Sequence, residues 1–162
     1  MIVHTNTHQI KLDMVQLDLE NLLPHRSPML LLSRVTFETS DSVGASCTIG
    51  EQCKLFTDQN GDVGGWIILE LMAQTISVYA GLKNKHPNEP ARIGFLLGTR
   101  QFSCSRAVIH TGETIDITAR CLFFAEPELP SQFECTAAID GELIAQSNLT
   151  VFQPKEFQPW IA

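Results

Sequence analysis

Basic residues are scarce in this chain of 162 residues: 11 Lys and Arg stand against 18 Asp and Glu, for a formal net charge of −7. Neutralising a polyanion takes clustered Lys and Arg, so no nucleic-acid partner is expected. Cysteine pairs are missing as well. The five cysteines, Cys47, Cys53, Cys104, Cys121 and Cys135, are odd in number, scattered and never spaced C-x-x-C. That pattern fits reduced core thiols of a cytoplasmic protein better than a disulfide framework or a zinc site, and no metal is expected. The most apolar stretch, Trp66 to Leu82, is broken by Glu70, Gln74, Thr75 and Ser77. It falls short of the roughly 20 apolar residues of a bilayer span, so no membrane insertion is expected. The opening MIVHTNTHQIKLD has no basic segment followed by an apolar run, which speaks against a secretory signal, and no internal repeat or low-complexity tract is visible.

What is present has the size of one domain spanning 1–162. Residues 1–16 lack a clear period and read as a loose lead-in or a short edge strand. LDLENLLPHRSPM reads as one helical turn stopped by Pro24, with Pro28 holding the chain extended. Residues 29–38 and 42–50 are strand candidates joined by the polar turn Thr39–Ser40–Asp41. A loop rich in Asp, Asn and Gly fills 51–65 and suits the start of a helix at its end. From Trp66 to about Asn84 there is no proline, the only charge before Lys83 is Glu70, and apolar residues lie all round the cylinder. Such a helix must be wrapped. Strands are expected at 92–98, 99–110, 113–125, 131–139 and 143–152, with Asp140–Gly141 as a tight hairpin turn. Six or seven antiparallel strands around one buried helix define an α+β class, and the hotdog arrangement, a curved antiparallel sheet enclosing a central helix, is its natural form. One copy leaves helix surface and a sheet edge uncovered, so a dimer is expected.

Two segments are specific enough to carry a resemblance. Leu23–Pro24–His25–Arg26–Ser27–Pro28–Met29–Leu30–Leu31–Leu32–Ser33–Arg34–Val35 is close to an L-P-H-R-x-P-x-L-L-x-D-R-V opening, with Ser33 where Asp is usual. Gly65–Trp66–Ile67–Ile68–Leu69–Glu70–Leu71–Met72–Ala73–Gln74 is close to a G-V-L-x-x-E-x-x-A-Q helix, and Asp140–Gly141–Glu142 resembles a last hairpin. Together they resemble the hotdog-fold 3-hydroxyacyl-carrier-protein dehydratases of bacterial fatty acid synthesis, from about residue 20 to 152. One departure matters. That family carries G-H-F-P upstream of the helix, and its histidine is the catalytic base and acid. Here Leu55 to Val63 contains no histidine, and neither His25, in the opening motif, nor His86, beyond the helix, matches the missing position. The combination looks more like a divergent branch, the dehydratase subunits of aryl polyene pigment clusters. The resemblance implies a substrate carried on the phosphopantetheine of an acyl carrier protein and no other cofactor. It also implies a homodimer, or a heterodimer with a second hotdog subunit that supplies the catalytic histidine while this chain supplies Glu70.

Dehydrating a 3-hydroxyacyl thioester requires one group to take the α-proton and an acid to protonate the leaving oxygen. Glu70 suits the acid role, because a carboxyl on an apolar helix favours its protonated or partnered form; the plainer alternative is a structural carboxyl bonded to Gln74 one turn on. Gly64, Gly65 and Trp66, at the helix amino terminus, could aim free amides at the thioester carbonyl, with Trp66 lining the acyl slot. Asp58 and Asp62 lie near the absent histidine and could substitute as base, although Asp in such a loop ordinarily forms turns or caps. His25 is expected to position the first strand. Lys83, Lys85, Arg92, Arg100 and Arg106 are the local candidates for carrier contacts, yet the negative net charge leaves most such contacts to a partner subunit. The remaining alternatives are a thioesterase of the same fold and a non-catalytic acyl-binding or stabilising partner of another hotdog subunit.

Overall fold

The computed structural model describes residues 18–84, 89–126 and 128–155. The lead-in expected at 1–16 and the side chains of Lys85 and His86 lie outside the described residues. The first turn of helix, α1 (Leu19–Leu22), is capped by the Asp18 carboxylate, which accepts from the Glu20 N–H at 3.1 Å, and it stops ahead of Pro24. Two strands follow, β1 (Arg34–Glu38) and β2 (Ser42–Thr48), joined at the predicted turn, where Thr39 N–H donates to Ser42 O at 2.8 Å. Met29 to Ser33, expected to open the first strand, lies outside it. Ser33, in place of the usual Asp, accepts from the Thr48 N–H at 3.1 Å and so fastens this lead-in to the end of β2.

A 3-10 turn (Glu51–Phe56) and a two-residue strand, β3 (Val63–Gly64), deliver the chain to the long helix α2 (Ile67–Lys83). The rest is sheet: β4 (Phe95–Cys104), β5 (Val108–Ile109), β6 (Thr114–Phe123), β7 (Ser131–Ile139) and β8 (Glu142–Phe152). The break expected between residues 98 and 99 is absent, because β4 runs through it with irregular register against β8 at Leu96/Gly98 and Arg100/Ser103. Asp140 and Gly141 both have positive φ, 50° and 79°, which is the two-residue hairpin geometry their residue types favour.

The large sheet has the order β1-β2-β6-β7-β8-β4, every pair antiparallel, while β3 pairs with β5 apart from it. It curves around α2, the hotdog arrangement. The helix packs on β2, β6 and β7, whose inward residues, among them Ala45, Ile115, Ile117, Phe133 and Cys135, are fully buried with Ile67, Ile68, Leu71 and Met72 of the helix. At the far end α1 crosses α2 so closely that a Cβ on Gly81 would collide with the Leu22 carbonyl. β4 behaves differently. As the last strand of the sheet among the described residues it carries Phe95, Leu96 and Leu97 exposed, an apolar row along the sheet edge.

Candidate active site

Glu70 lies in the first turn of α2, where the amino end of the helix favours a carboxyl. Its Oε1 accepts from Gln74 Nε2 at 2.9 Å. Gln74 is itself fully buried and fixed by the segment ahead of β1: Leu31 N–H donates to its Oε1 at 3.0 Å, and its Nε2 donates to Met29 O at 2.8 Å. Reversing the amide would set like against like at both ends, so its NH2 group must face Glu70. The Gln74 expected at the site is therefore a brace, joining helix, carboxyl and lead-in.

The same oxygen of Glu70 meets a second group. His25 Nε2 lies 3.6 Å from Glu70 Oε1. Burial pushes the imidazole below the usual 6.5, with the Glu70 charge pulling partly back, so the ring is chiefly neutral at neutral pH. His25 Nδ1 is buried and has no hydrogen-bond partner among the described residues. Sequence reasoning assigned this residue to positioning the first strand; the turn between Pro24 and Pro28 instead sets its ring beside Glu70. A histidine enclosed by two prolines was the available signal, but no periodicity links positions 25 and 70.

A cavity of about 170 Å³ opens at His25 and Glu70. Its floor is the face of α2 bearing Ala73, Ser77 and Ala80, at helical spacing, and its walls include Phe95 and Leu96 of β4 with Phe124, Leu129 and Phe152. It is a largely apolar slot with two carboxyls in its lining, Glu70 and Glu126, suited to an acyl chain whose polar end stays near Glu70.

The other predicted residues are not brought to this slot. Gly64 is paired with Val108, and the Gly65 N–H donates to Ala107 O at 2.9 Å, so the Gly65 amide expected to be free is consumed by the junction with β5. That junction is why glycine stands there: a Cβ on Gly65 would strike the Arg106 carbonyl. Trp66 is 58% exposed and packs edge-on against Phe56, with ring centroids 5.9 Å apart, instead of lining the slot. Asp58 forms a turn, accepting from Asn60 N–H at 2.8 Å and Asp62 N–H at 3.1 Å. Asp62 ties that loop to the strand opposite, accepting from Thr111 N–H at 2.9 Å and lying 2.9 Å from His110 Nδ1; the His110 contact, then Thr111, holds its carboxyl below the usual range. Neither aspartate lines the slot. Of the basic residues, Lys83 sits over the Tyr79 ring, Arg92 pairs with Glu89 at 3.8 Å, Arg106 pairs with Glu113 at 2.8 Å, and Arg100 is exposed on β4 away from the slot lining. No group of three metal-ligating side chains exists among the described residues, and no described helix is long and apolar enough to cross a membrane.

A curved antiparallel sheet around one central helix defines a protein of the hotdog fold, and the family match places it in the dehydratase class. The profile of the ApeP-like family, described as ApeP dehydratase, matches residues 17–162, and the chain belongs to that family. Among curated proteins it is similar to the 3-hydroxyacyl-[acyl-carrier-protein] dehydratase FabZ of Streptococcus thermophilus, 29% identical over 131 residues covering 79% of this chain and 89% of that one. The FabZ of Erwinia tasmaniensis is 26% identical over 161 residues, 94% and 98% of the two chains. Among solved structures, a chain of the dehydratase heterocomplex ApeI:P from Xenorhabdus doucetiae superposes with a TM-score of 0.80 at 29% identity, over 86% of this chain and 93% of that one. A hypothetical thioesterase from Streptococcus pneumoniae with coenzyme A, at 11% identity and a TM-score of 0.53 over 74% and 86% of the two chains, shares the fold alone.

Proposed function

We propose that this chain is one half of a heterodimeric 3-hydroxyacyl-[acyl-carrier-protein] dehydratase, in aryl polyene or fatty acid type synthesis, and that Glu70 is the acid of an active site shared with a second hotdog subunit. The observation that carries the reading is the slot itself: Glu70 lines it, and one wall belongs to β4, the last strand of the sheet among the described residues. A second hotdog subunit added at β4 would cover Phe95, Leu96 and Leu97 and could bring a histidine to the opposite side of the slot. The resemblance to a heterocomplex supports the same arrangement.

The chemistry needs both sides. The partner's imidazole takes the proton from the α-carbon, electrons move toward the thioester carbonyl, and the C–O bond at the β-carbon breaks as Glu70 gives its proton to the departing hydroxide, which leaves as water. Acid and base each contribute about 10²–10⁴ in rate. In this reading the base comes from the partner, and His25, whose Nε2 lies 3.6 Å from Glu70 Oε1, stays beside the acid.

The substrate would arrive on the phosphopantetheine arm of a carrier protein. Arg92 and Arg106 are already paired within the chain and its net charge is −7, which supports a partner subunit supplying most contacts to that acidic carrier. The test is to purify this chain alone, and together with a hotdog subunit encoded beside it, then to assay 3-hydroxyacyl thioester dehydration. Activity is expected only in the mixture and should disappear with Glu70→Ala. Full activity of the lone chain would refute the shared site, and an active mixture indifferent to Glu70→Ala would reduce this chain to a scaffold.

A further inference from the structure

Three observations converge on Glu70 Oε1 and the His25 ring beside it, both at the slot. Gln74 presents an N–H to Glu70 Oε1 in an orientation fixed by Leu31 and Met29. His25 Nε2 faces the same oxygen. The other nitrogen of His25 is buried without a hydrogen-bond partner among the described residues. A buried N–H without an acceptor is costlier than a buried lone pair without a donor, so the tautomer with hydrogen on Nε2 is favoured. That tautomer faces Oε1 with a second N–H at 3.6 Å, outside hydrogen-bond distance in this structure and a few tenths of an ångström from closing on it.

We propose that His25 is a positioning residue for the acid chemistry of Glu70: with Gln74 it marks Oε1 as the hydrogen-bond acceptor of the carboxyl and leaves Oε2 to carry the proton delivered to the leaving hydroxide. The inference rests on the acid role of Glu70 proposed above. Atoms balance without His25 changing protonation state: the Oε2–H bond breaks, the new O–H bond completes water, and the resulting carboxylate is met by the Gln74 N–H already bonded to Oε1 and by the His25 N–H, which closes from 3.6 Å as the charge develops. Donors held close to a developing anion need little rearrangement at the moment of reaction, which is where they contribute most. The neutral state that burial imposes on the ring serves this role, because an imidazolium would hold Glu70 as a salt-bridged carboxylate without a proton to give.

The test uses the chain assembled with its hotdog partner and measures kcat and KM for 3-hydroxyacyl thioester dehydration. His25→Ala should lower kcat about 10- to 100-fold with KM nearly unchanged, as expected for losing one hydrogen bond to a group that becomes charged. His25→Gln places an amide N–H near the position of Nε2 and should recover most of the loss. His25→Asn places it near Nδ1 and should not. Independently, nitrogen NMR of the ring in the unmutated protein should show the Nε2–H tautomer at neutral pH. Circular dichroism and assembly with the partner serve as the control for folding. An unchanged kcat in a folded His25→Ala complex, a purely KM effect, equal rescue by Gln and Asn, or an Nδ1–H ring would each overturn the inference. If Glu70→Ala abolishes activity while His25→Ala does not, only this inference falls; if Glu70→Ala is active, the underlying acid role falls first.

Discussion

Gln74 and Glu70 are joined by an N–H to carboxyl bond of 2.9 Å that cannot be turned round, because the same amide is held by Leu31 and Met29 from outside the helix. The one side chain thus links the stability of the lead-in to the geometry of the Glu70 carboxyl.

Replacing it should register in both. Gln74→Leu keeps the volume but leaves the buried Leu31 N–H without its acceptor, a cost of about 1–3 kcal/mol. Urea denaturation should show a lower midpoint with an unchanged slope. Dehydration by the assembled enzyme should fall as well; a variant that loses stability but keeps full kcat would separate the two roles.

Gly65 and Gly98 offer a matched pair. A Cβ at Gly65 meets the Arg106 carbonyl, part of the backbone that holds the helix start, whereas a Cβ at Gly98 meets nothing within 4 Å. Gly65→Ala should therefore destabilise by at least about 3 kcal/mol or prevent folding, while Gly98→Ala stays within about 1 kcal/mol of the parent. Thermal melts of the two variants side by side decide it; equal melts would mean that the junction relaxes freely.

Leu97 is 57% exposed on the edge strand β4. Leu97→Lys should leave the melting curve of the isolated chain nearly unchanged, since exposed positions contribute within about 0.5 kcal/mol. It should nonetheless abolish co-purification with the second hotdog subunit. Retained association would place the partner elsewhere on the surface.

The pH dependence of stability carries a signature of His25. Its folded-state pKa lies below the usual 6.5, chiefly from burial and against the pull of Glu70. The unfolded chain therefore takes up the proton first as pH falls, so the contribution of this residue is fully present above about pH 6.5 and is lost as pH drops through the folded-state value. Denaturation midpoints measured from about pH 8 down to 5 should decline less steeply in His25→Gln than in the parent. Parallel curves would show that the ring is not buried as described.

The long apolar helix, the hairpin at Asp140–Gly141, the strand at 131–139 and the lone carboxyl at position 70 were all legible in the sequence, because each depends on residues within a few positions of one another. A period, a turn dipeptide and a lone charge in an apolar run are local facts. The family motifs rest on such runs too, and for the same reason the absence of a histidine between Leu55 and Gly65 could be read directly.

What surrounds Glu70 could not be read that way. Only the folded chain carries the turn at Pro24 to Pro28 onto the first turns of α2, setting His25 beside the carboxyl and the backbone of Met29 and Leu31 against Gln74. Only the pairing of β3 with β5 uses up the Gly65 amide, and only the sheet order puts β4 last in the sheet among the described residues. These are contacts between distant segments, decided by how the sheet closes on the helix. Local spacing carries no record of them.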